Sequence, residues 1–279
     1  MTKLVDHSYK IHFVTTMNQK IYDSYGKFFL DDFEEYADPS IFLLNVFEGE
    51  LPNNLKNFQK VKFIPFQCPI HNKFMRYFSK LYEARGLKIT QTKNNSNNKI
   101  EIKFQMNFRY DAIKFSYKVF SINFVKGLIK ESDYLIWTDA DLRCFKKFSS
   151  NDLNSFLPNK DQIMSYLGRT LFPLQNPYSE CGFLGFNIKH KMFDSFITRM
   201  IEVYSSGEIF SHEEWHDSWI WDDIRGEFEK NGYKFKNISG KFENIEHPFV
   251  NCGLQEFFDH LKGPERKIKG KSHDNDFVQ

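Results

Sequence analysis

The feature that most constrains this chain is a short apolar run, Tyr134-Leu135-Ile136-Trp137-Thr138, that stops at Asp139-Ala140-Asp141. Five consecutive residues of this kind read as a strand buried on both faces, and a strand covered on both faces needs helices above and below it. The segment before it, DAIKFSYKVFSINFVKGLI within residues 110–129, supplies one, because its apolar positions recur with the 3.6-residue period of a partly buried helix. Helix, buried strand and paired acids therefore follow one another without a break.

The rest of the chain repeats this alternation. Residues 10–16 (KIHFVTT) read as a first strand ending in hydroxyl residues, 21–36 as a helix, 41–47 and 61–66 as strands, and 72–85 as a helix. Residues 90–101 (TQTKNNSNNKIE) are polar and Asn-rich and read as a mobile loop. Further strands are expected at 163–166 and 182–187, on either side of a turn around Pro173 and Pro177, with a helix at 192–205. Few periodic segments follow residue 238. Alternating strands and helices with no linker predict one α/β domain over 1–279, Rossmann-like, with a mixed, mostly parallel central sheet.

Composition excludes several alternatives. With 41% hydrophobic and 27% charged residues, a chain of 279 residues can build a full core and is not disordered. A net charge of +2 gives no general attraction for nucleic acid or anionic membranes, so no nucleic-acid partner is expected. Cys68, Cys144, Cys181 and Cys252 are too widely spaced for a short disulfide framework, which points to reduced thiols in the cytoplasm. No stretch approaches the length of a membrane span, leaving a soluble protein or one peripheral to a membrane. The 32 Phe carry no functional weight.

Two carboxylates one residue apart at the C-terminal end of a strand can converge on one hard cation and leave coordination positions for phosphate oxygens, which suits Mn²⁺ or Mg²⁺ better than Zn²⁺. A second Asp-x-Asp, Asp274-Asn275-Asp276, lies in a polar tail without a strand to frame it. Residues 118–145, KVFSINFVKGLIKESDYLIWTDADLRCF, resemble the core of GT-A-fold glycosyltransferases, in which a helix precedes a strand ending in the metal-binding DxD. The segment DHLKGPERK at 259–267 is similar to the HxxGxxK pattern that closes over the donor in family-8-like members, where the His is a third metal ligand. His260 and Gly263 match that pattern; Arg266 or Lys267 falls near the expected cation, and the aromatic end of the motif is missing.

The resemblance implies Asp139, Asp141 and His260 as metal ligands, with His247 the rival imidazole, and a nucleotide-diphosphate sugar, a UDP-sugar above all, as donor. Asp139 would also face the ribose or sugar, Thr15 and Thr16 the base or ribose, and Lys118 or Arg109 the phosphates, while Lys262, Gly263, Arg266 and Lys267 would close over the diphosphate. The donor half would span about 1–145, and the acceptor half with its closing tail about 146–279. In SECGFLGFN at 179–187, the resemblance makes Gly182 and Gly185 a surface for a sugar ring and Glu180 an acceptor for its hydroxyls. In HEEWHDSW at 212–219, Trp215 and His216 would contact the carbohydrate or lipid-linked acceptor, and Asp217 would be the general base of an inverting enzyme or a positioning acid in a retaining one. The implied activity is metal-dependent glycosyl transfer, with a hexosyl group expected.

Two other classes compete. His212-Glu213-Glu214-Trp215-His216 satisfies the H-E-x-x-H pattern of zinc metallopeptidases literally, although it lacks a long apolar helical context. A non-catalytic carbohydrate-binding protein with a structural cation would also use the aromatic and acidic cluster.

Overall fold

The computed structural model describes residues 9–52, 55–94, 99–170 and 177–278. Eleven strands are present among them: β1 (Ile11–Asn18), β2 (Phe42–Glu48), β3 (Val61–Pro65), β4 (Leu87–Asn94), β5 (Lys99–Met106), β6 (Tyr134–Thr138), β7 (Leu142–Cys144), β8 (Gln162–Leu167), β9 (Glu180–Asn187), β10 (Lys234–Asn237) and β11 (Phe258–His260). Seven form one sheet in the order β10-β8-β9-β6-β1-β2-β3. Neighbours pair in parallel except on either side of β9, which runs antiparallel to both β6 and β8. The mixed, mostly parallel sheet predicted from the alternation is therefore observed.

Both faces are covered. On one, the helices Ala112–Lys126, Phe193–Ser205 and Asp217–Lys230 pack against the sheet, with Trp221 lying between Phe186 and Phe196 at ring separations of 5.6 and 5.8 Å. On the other, the Lys27–Tyr36 helix contributes Phe33 to a chain of rings running from Phe13 through Phe33 and Phe148 to Phe258. Much of the Phe content is thus spent in the two cores, where each buried ring contributes about 1.5–3 kcal/mol.

β6 occupies Tyr134–Thr138 as predicted and is buried throughout. The first predicted helix is broken into Gln19–Ile21, a π turn at Tyr22–Gly26 and Lys27–Tyr36. The second begins at Pro69, which needs no N–H at a helix start, and stops at Phe78. The expected loop over 90–101 is corrected: β4 and β5 form an antiparallel hairpin in which Leu87 faces Met106 and Asn94 faces Lys99, while residues 95–98 lie outside the described residues. The turn around Pro173 also lies outside them.

The basic tail is not a loose end. β11 pairs antiparallel with β7, placing His260 opposite Leu142, and the Leu261 N–H donates to the Asp141 carbonyl at 3.0 Å. Asp32 fixes the other edge of this ribbon by accepting from Arg143 Nε at 2.5 Å and from the Cys144 N–H at 3.2 Å. The helix Gly263–Lys269 then carries Lys267 back toward the acids.

Candidate active site

The end of β6 and the ribbon open onto a cavity of about 720 Å³, lined by residues from β1, β5, β9 and the starts of the Ala112–Lys126 and Asp217–Lys230 helices. At its floor lie Asp139, Asp141 and His260, whose ligand atoms fall within 4.8 Å of one another. His260 Nε2 is 3.3 Å from Asp141 Oδ1 and 3.8 Å from Asp139 Oδ2. The His260 Nδ1 faces Glu180 Oε1 at 2.8 Å. With the Nδ1 proton donated to Glu180, a bound cation would take the place of the proton that Nε2 turns toward the two acids, and Glu180 would keep the ring oriented as carboxylates do behind metal-ligating histidines. Asp141 Oδ1 is buried with no hydrogen-bond partner, an acceptor that a cation would satisfy. The donor set, two carboxylates and one imidazole, fits a hard or borderline divalent ion.

Positive groups surround these acids. Lys267 Nζ lies 2.7 Å from Asp141 Oδ2 and 4.6 Å from the centre of the Tyr25 ring. Burial alone would protonate Asp141, but His260 and Lys267 outweigh it and hold its carboxyl below the usual range. Burial likewise disfavours imidazolium, yet Asp141 and Glu180 raise His260 to about 9. Lys118 is buried between Asp139 (Oδ1, 3.0 Å) and Asp217 (Oδ2, 2.5 Å), donates to the Cys181 carbonyl at 2.8 Å and sits 5.1 Å from the Trp137 ring centre. Against the cost of burial, the two carboxylates keep it an ammonium ion, and it in turn lowers the Asp217 carboxyl. The Trp137 indole N–H donates to Asp139 Oδ1 at 2.9 Å, so one carboxylate oxygen is fixed by two donors while Oδ2 faces His260.

Other expected site residues are distributed differently. Thr16 lines the cavity and donates to Glu48 Oε1 at 3.0 Å and to the Val46 carbonyl at 2.8 Å; Thr15 is fully buried inside the sheet, because side chains of successive strand residues point to opposite faces. Arg109 is turned to Glu214 at 2.7 Å, and Glu214 Oε2 faces His216 Nε2 at 2.7 Å, so His216 lines the cavity with its ring held from behind. Lys262 lines the cavity, 3.5 Å from Glu180 Oε2. Arg266 is corrected: it pairs with Asp276 in the tail, which also explains the second Asp-x-Asp. Gly263 is required for its backbone, at φ +80°, and no atom lies within 4 Å of where a Cβ would stand.

Glu180 is corrected as well. Its carboxylate is 2% exposed and is held by His260, by His247 Nδ1 at 3.0 Å, and by Arg169 Nη2 at 3.1 Å. Nothing is left over for a sugar hydroxyl, and its position suits it to orient His260. His247, the rival ligand, instead spans Glu180 and the His260 carbonyl, with Nε2 at 3.1 Å from the latter. Gly182 does not offer room for a sugar ring, since a Cβ there would stand 2.5 Å from His260 Cε1; the imidazole occupies the space. Gly185 is filled in the same way by Ser165 Oγ. Trp215 is half-buried between Phe210 and Tyr110, 5.0 and 5.2 Å away, and its indole N–H donates to the His212 carbonyl.

The H-E-x-x-H match has no helix beneath it. Residues 212–216 form a turn between the 3₁₀ segment Glu208–Ser211 and the helix at Asp217, and the i, i+4 geometry that brings two imidazoles to one ion is absent. His212 stacks edge-on with Trp219 near Asp223, whereas His216 faces Glu214.

No protein-family model matches the chain. No curated protein matches it either. Solved structures similar to it include mouse xyloside xylosyltransferase 1 in its apo form (11% identity over 81% of this chain and 84% of that one, TM-score 0.44). A glycosyltransferase involved in the glycosylation of the major capsid of PBCV-1 aligns at 11% identity over 93% and 98% of the two chains, with a TM-score of 0.48. The apo-form glycosyltransferase GlyE of Streptococcus pneumoniae TIGR4 aligns at 14% identity over 83% of this chain but 46% of its own length, with a TM-score of 0.42.

Proposed function

We infer that this chain is a metal-dependent glycosyltransferase of the GT-A type, moving a sugar from a nucleotide-diphosphate donor, a UDP-sugar in the first instance, to a hydroxyl of a carbohydrate or lipid-linked acceptor. The observation that carries the reading is the convergence of Asp139 and Asp141, from the turn between β6 and β7, with His260 of β11 at the floor of a cavity that also holds Lys118, Lys262 and Lys267. A divalent ion held there, Mn²⁺ or Mg²⁺, would draw off the negative charge that develops on a departing diphosphate.

The protein's own groups have distinct parts in this scheme. Lys267 and Lys262 add fixed positive charge on the tail side, where a diphosphate would leave. Glu48 of β2, tied to Thr16 and Asn18 of β1, lines the cavity beside Thr16, where the base or ribose is expected. Asp217 is buried against Lys118 with its proton affinity lowered, which suits a carboxylate that positions Lys118 and a substrate hydroxyl better than a general base tuned near neutral pH.

The test is thermal-shift titration with UDP, with and without Mn²⁺, on the intact protein and on Asp141→Ala. Binding that needs both components should raise the melting temperature only when they are present together. Asp141→Ala should abolish that shift and lower donor hydrolysis by about 10²–10³-fold or more. A metal-independent UDP shift, or unaltered turnover in Asp141→Ala, would overturn the reading. Saccharide binding with no donor turnover would favour a binding protein.

A further inference from the structure

The β4–β5 hairpin stands apart from the main sheet and is two-sided. Its cross-strand pairs alternate: Leu87 with Met106 and Ile89 with Phe104 share one face, on which Ile102 also falls, and Lys88 with Gln105 and Thr90 with Lys103 share the other. A two-stranded hairpin is marginal in water and normally buries its apolar face on something else. Here, among the described residues, nothing covers it: Ile102, Phe104 and Met106 are 56, 58 and 61% exposed. The patch continues onto the adjoining turn, where the exposed Tyr82 lies 6.0 Å from the Phe104 ring, with Leu81 and Tyr77 also exposed nearby in sequence. Exposed apolar surface gathered in one place marks an interaction site.

Charge indicates what it meets. Residues 69–106 hold eight Lys and Arg against two Glu, whereas the remainder of the chain holds thirty basic against thirty-four acidic residues. The small positive net charge of the whole protein is therefore a basic region set against an acidic remainder. Arg76 and Lys80 are exposed beside Tyr77, Leu81 and Tyr82 in sequence, a mixture of basic, aromatic and aliphatic side chains suited to the headgroup layer of an anionic bilayer. The orientation is also informative, because Leu87 and Met106, at the base of the hairpin, line the cavity that holds Asp139 and Asp141.

We propose that the apolar face of the β4–β5 hairpin, with its basic surroundings, docks the protein onto an anionic lipid surface and holds the cavity mouth against it. The interaction requires neither a bound nucleotide nor the acids of the cavity floor. No helix among the described residues is long and apolar enough to cross a membrane, so the contact is one of docking rather than spanning.

Vesicle co-sedimentation of the full chain tests this, comparing phosphatidylcholine alone with phosphatidylcholine carrying about 30 mol% phosphatidylglycerol. The protein should sediment with the anionic vesicles, and salt near 0.5 M should weaken the association because the charge component is screened within about 4–5 Å. Ile102→Ser/Phe104→Ser, exposed positions whose folding is checked by melting temperature, should lower vesicle affinity at least tenfold. Arg76→Glu/Lys80→Glu should remove the preference for anionic over neutral lipid. Asp141→Ala should sediment like the wild type, which separates failure of this proposal from failure of the catalytic reading. Wild-type protein left in the supernatant, or the Ser double variant sedimenting as well as wild type, would overturn the proposal. So would a concentration-dependent dimer that the same variant abolishes while vesicles are ignored, since the face would then belong to a second copy of the chain.

Discussion

Among the described residues, two small antiparallel sheets lie outside the main one, and they are opposites. The β7–β11 ribbon is three residues wide on each side and almost wholly buried, with Phe258 against Phe148, Leu142 inside the core and Asp32 bonded along its edge. The β4–β5 hairpin is eight residues a side and leaves its apolar face in solvent. Length and strand pairing favour the hairpin, yet the ribbon carries His260, the imidazole of the proposed metal site. The precision of the ribbon comes from what surrounds it rather than from its own hydrogen bonds. A short pairing walled in by packed rings is a better mount for a metal ligand than a long pairing with one open face.

The largest test of this contrast is truncation of one ring in each sheet. Phe258→Ala should cost about 3–5 kcal/mol of unfolding free energy, whereas Phe104→Ala should stay within about 0.5 kcal/mol, measured by urea denaturation. Equal losses would break the comparison.

Imidazoles sharpen it next. His260 sits among acids and is raised to about 9, while His71, in the Pro69–Phe78 helix, and His12, in β1, are lowered to about 4, chiefly by burial. For these two the unfolded chain takes up a proton near pH 6.5 that the folded chain refuses until about 4, so their stabilisation is complete above pH 6.5 and is lost as pH falls through that window. Within it, the folding constant should fall by close to tenfold per pH unit for each histidine, read from urea curves at pH 6 and pH 5. A flat profile would mean that neither is buried in its neutral form.

The smallest expected change concerns Gly182. Adding one methyl group there pushes on His260, and Gly182→Ala should weaken Mn²⁺ binding by about 10–100-fold with only a modest loss of stability, measured by metal titration alongside melting temperature. Unchanged affinity would show that His260 tolerates displacement and that the ribbon is less exacting than its packing suggests.

How much of this is legible in the sequence follows from the range of each interaction. β6 and its acids are readable because a buried strand and the turn after it are local. His260 is readable through its spacing to Gly263 and the basic residues that follow. The hairpin is hidden behind Asn, Lys and Thr, poor markers of a strand, although the alternation Ile100, Ile102, Phe104, Met106 was there to be found. Glu180 is misread for a different reason. An acid beside a Gly-spaced strand looks free until Arg169, His247 and His260 are brought around it from three other parts of the chain, and no local pattern announces that encirclement. Trp215 has the composition of a sugar platform, and the rings it packs between, Tyr110 and Phe210, are set by tertiary packing that no local pattern shows.

The pairing of Leu142 with His260 has a consequence for the order of synthesis. A nascent chain that has passed the two acids already has most of its central sheet, but the imidazole that completes their cluster leaves the ribosome far later. Until that short strand arrives, Asp139 already has Lys118 beside it, but Asp141 lacks both the imidazole of His260 and the ammonium of Lys267, so the cluster is completed only when a segment far downstream of the acids has paired with β7.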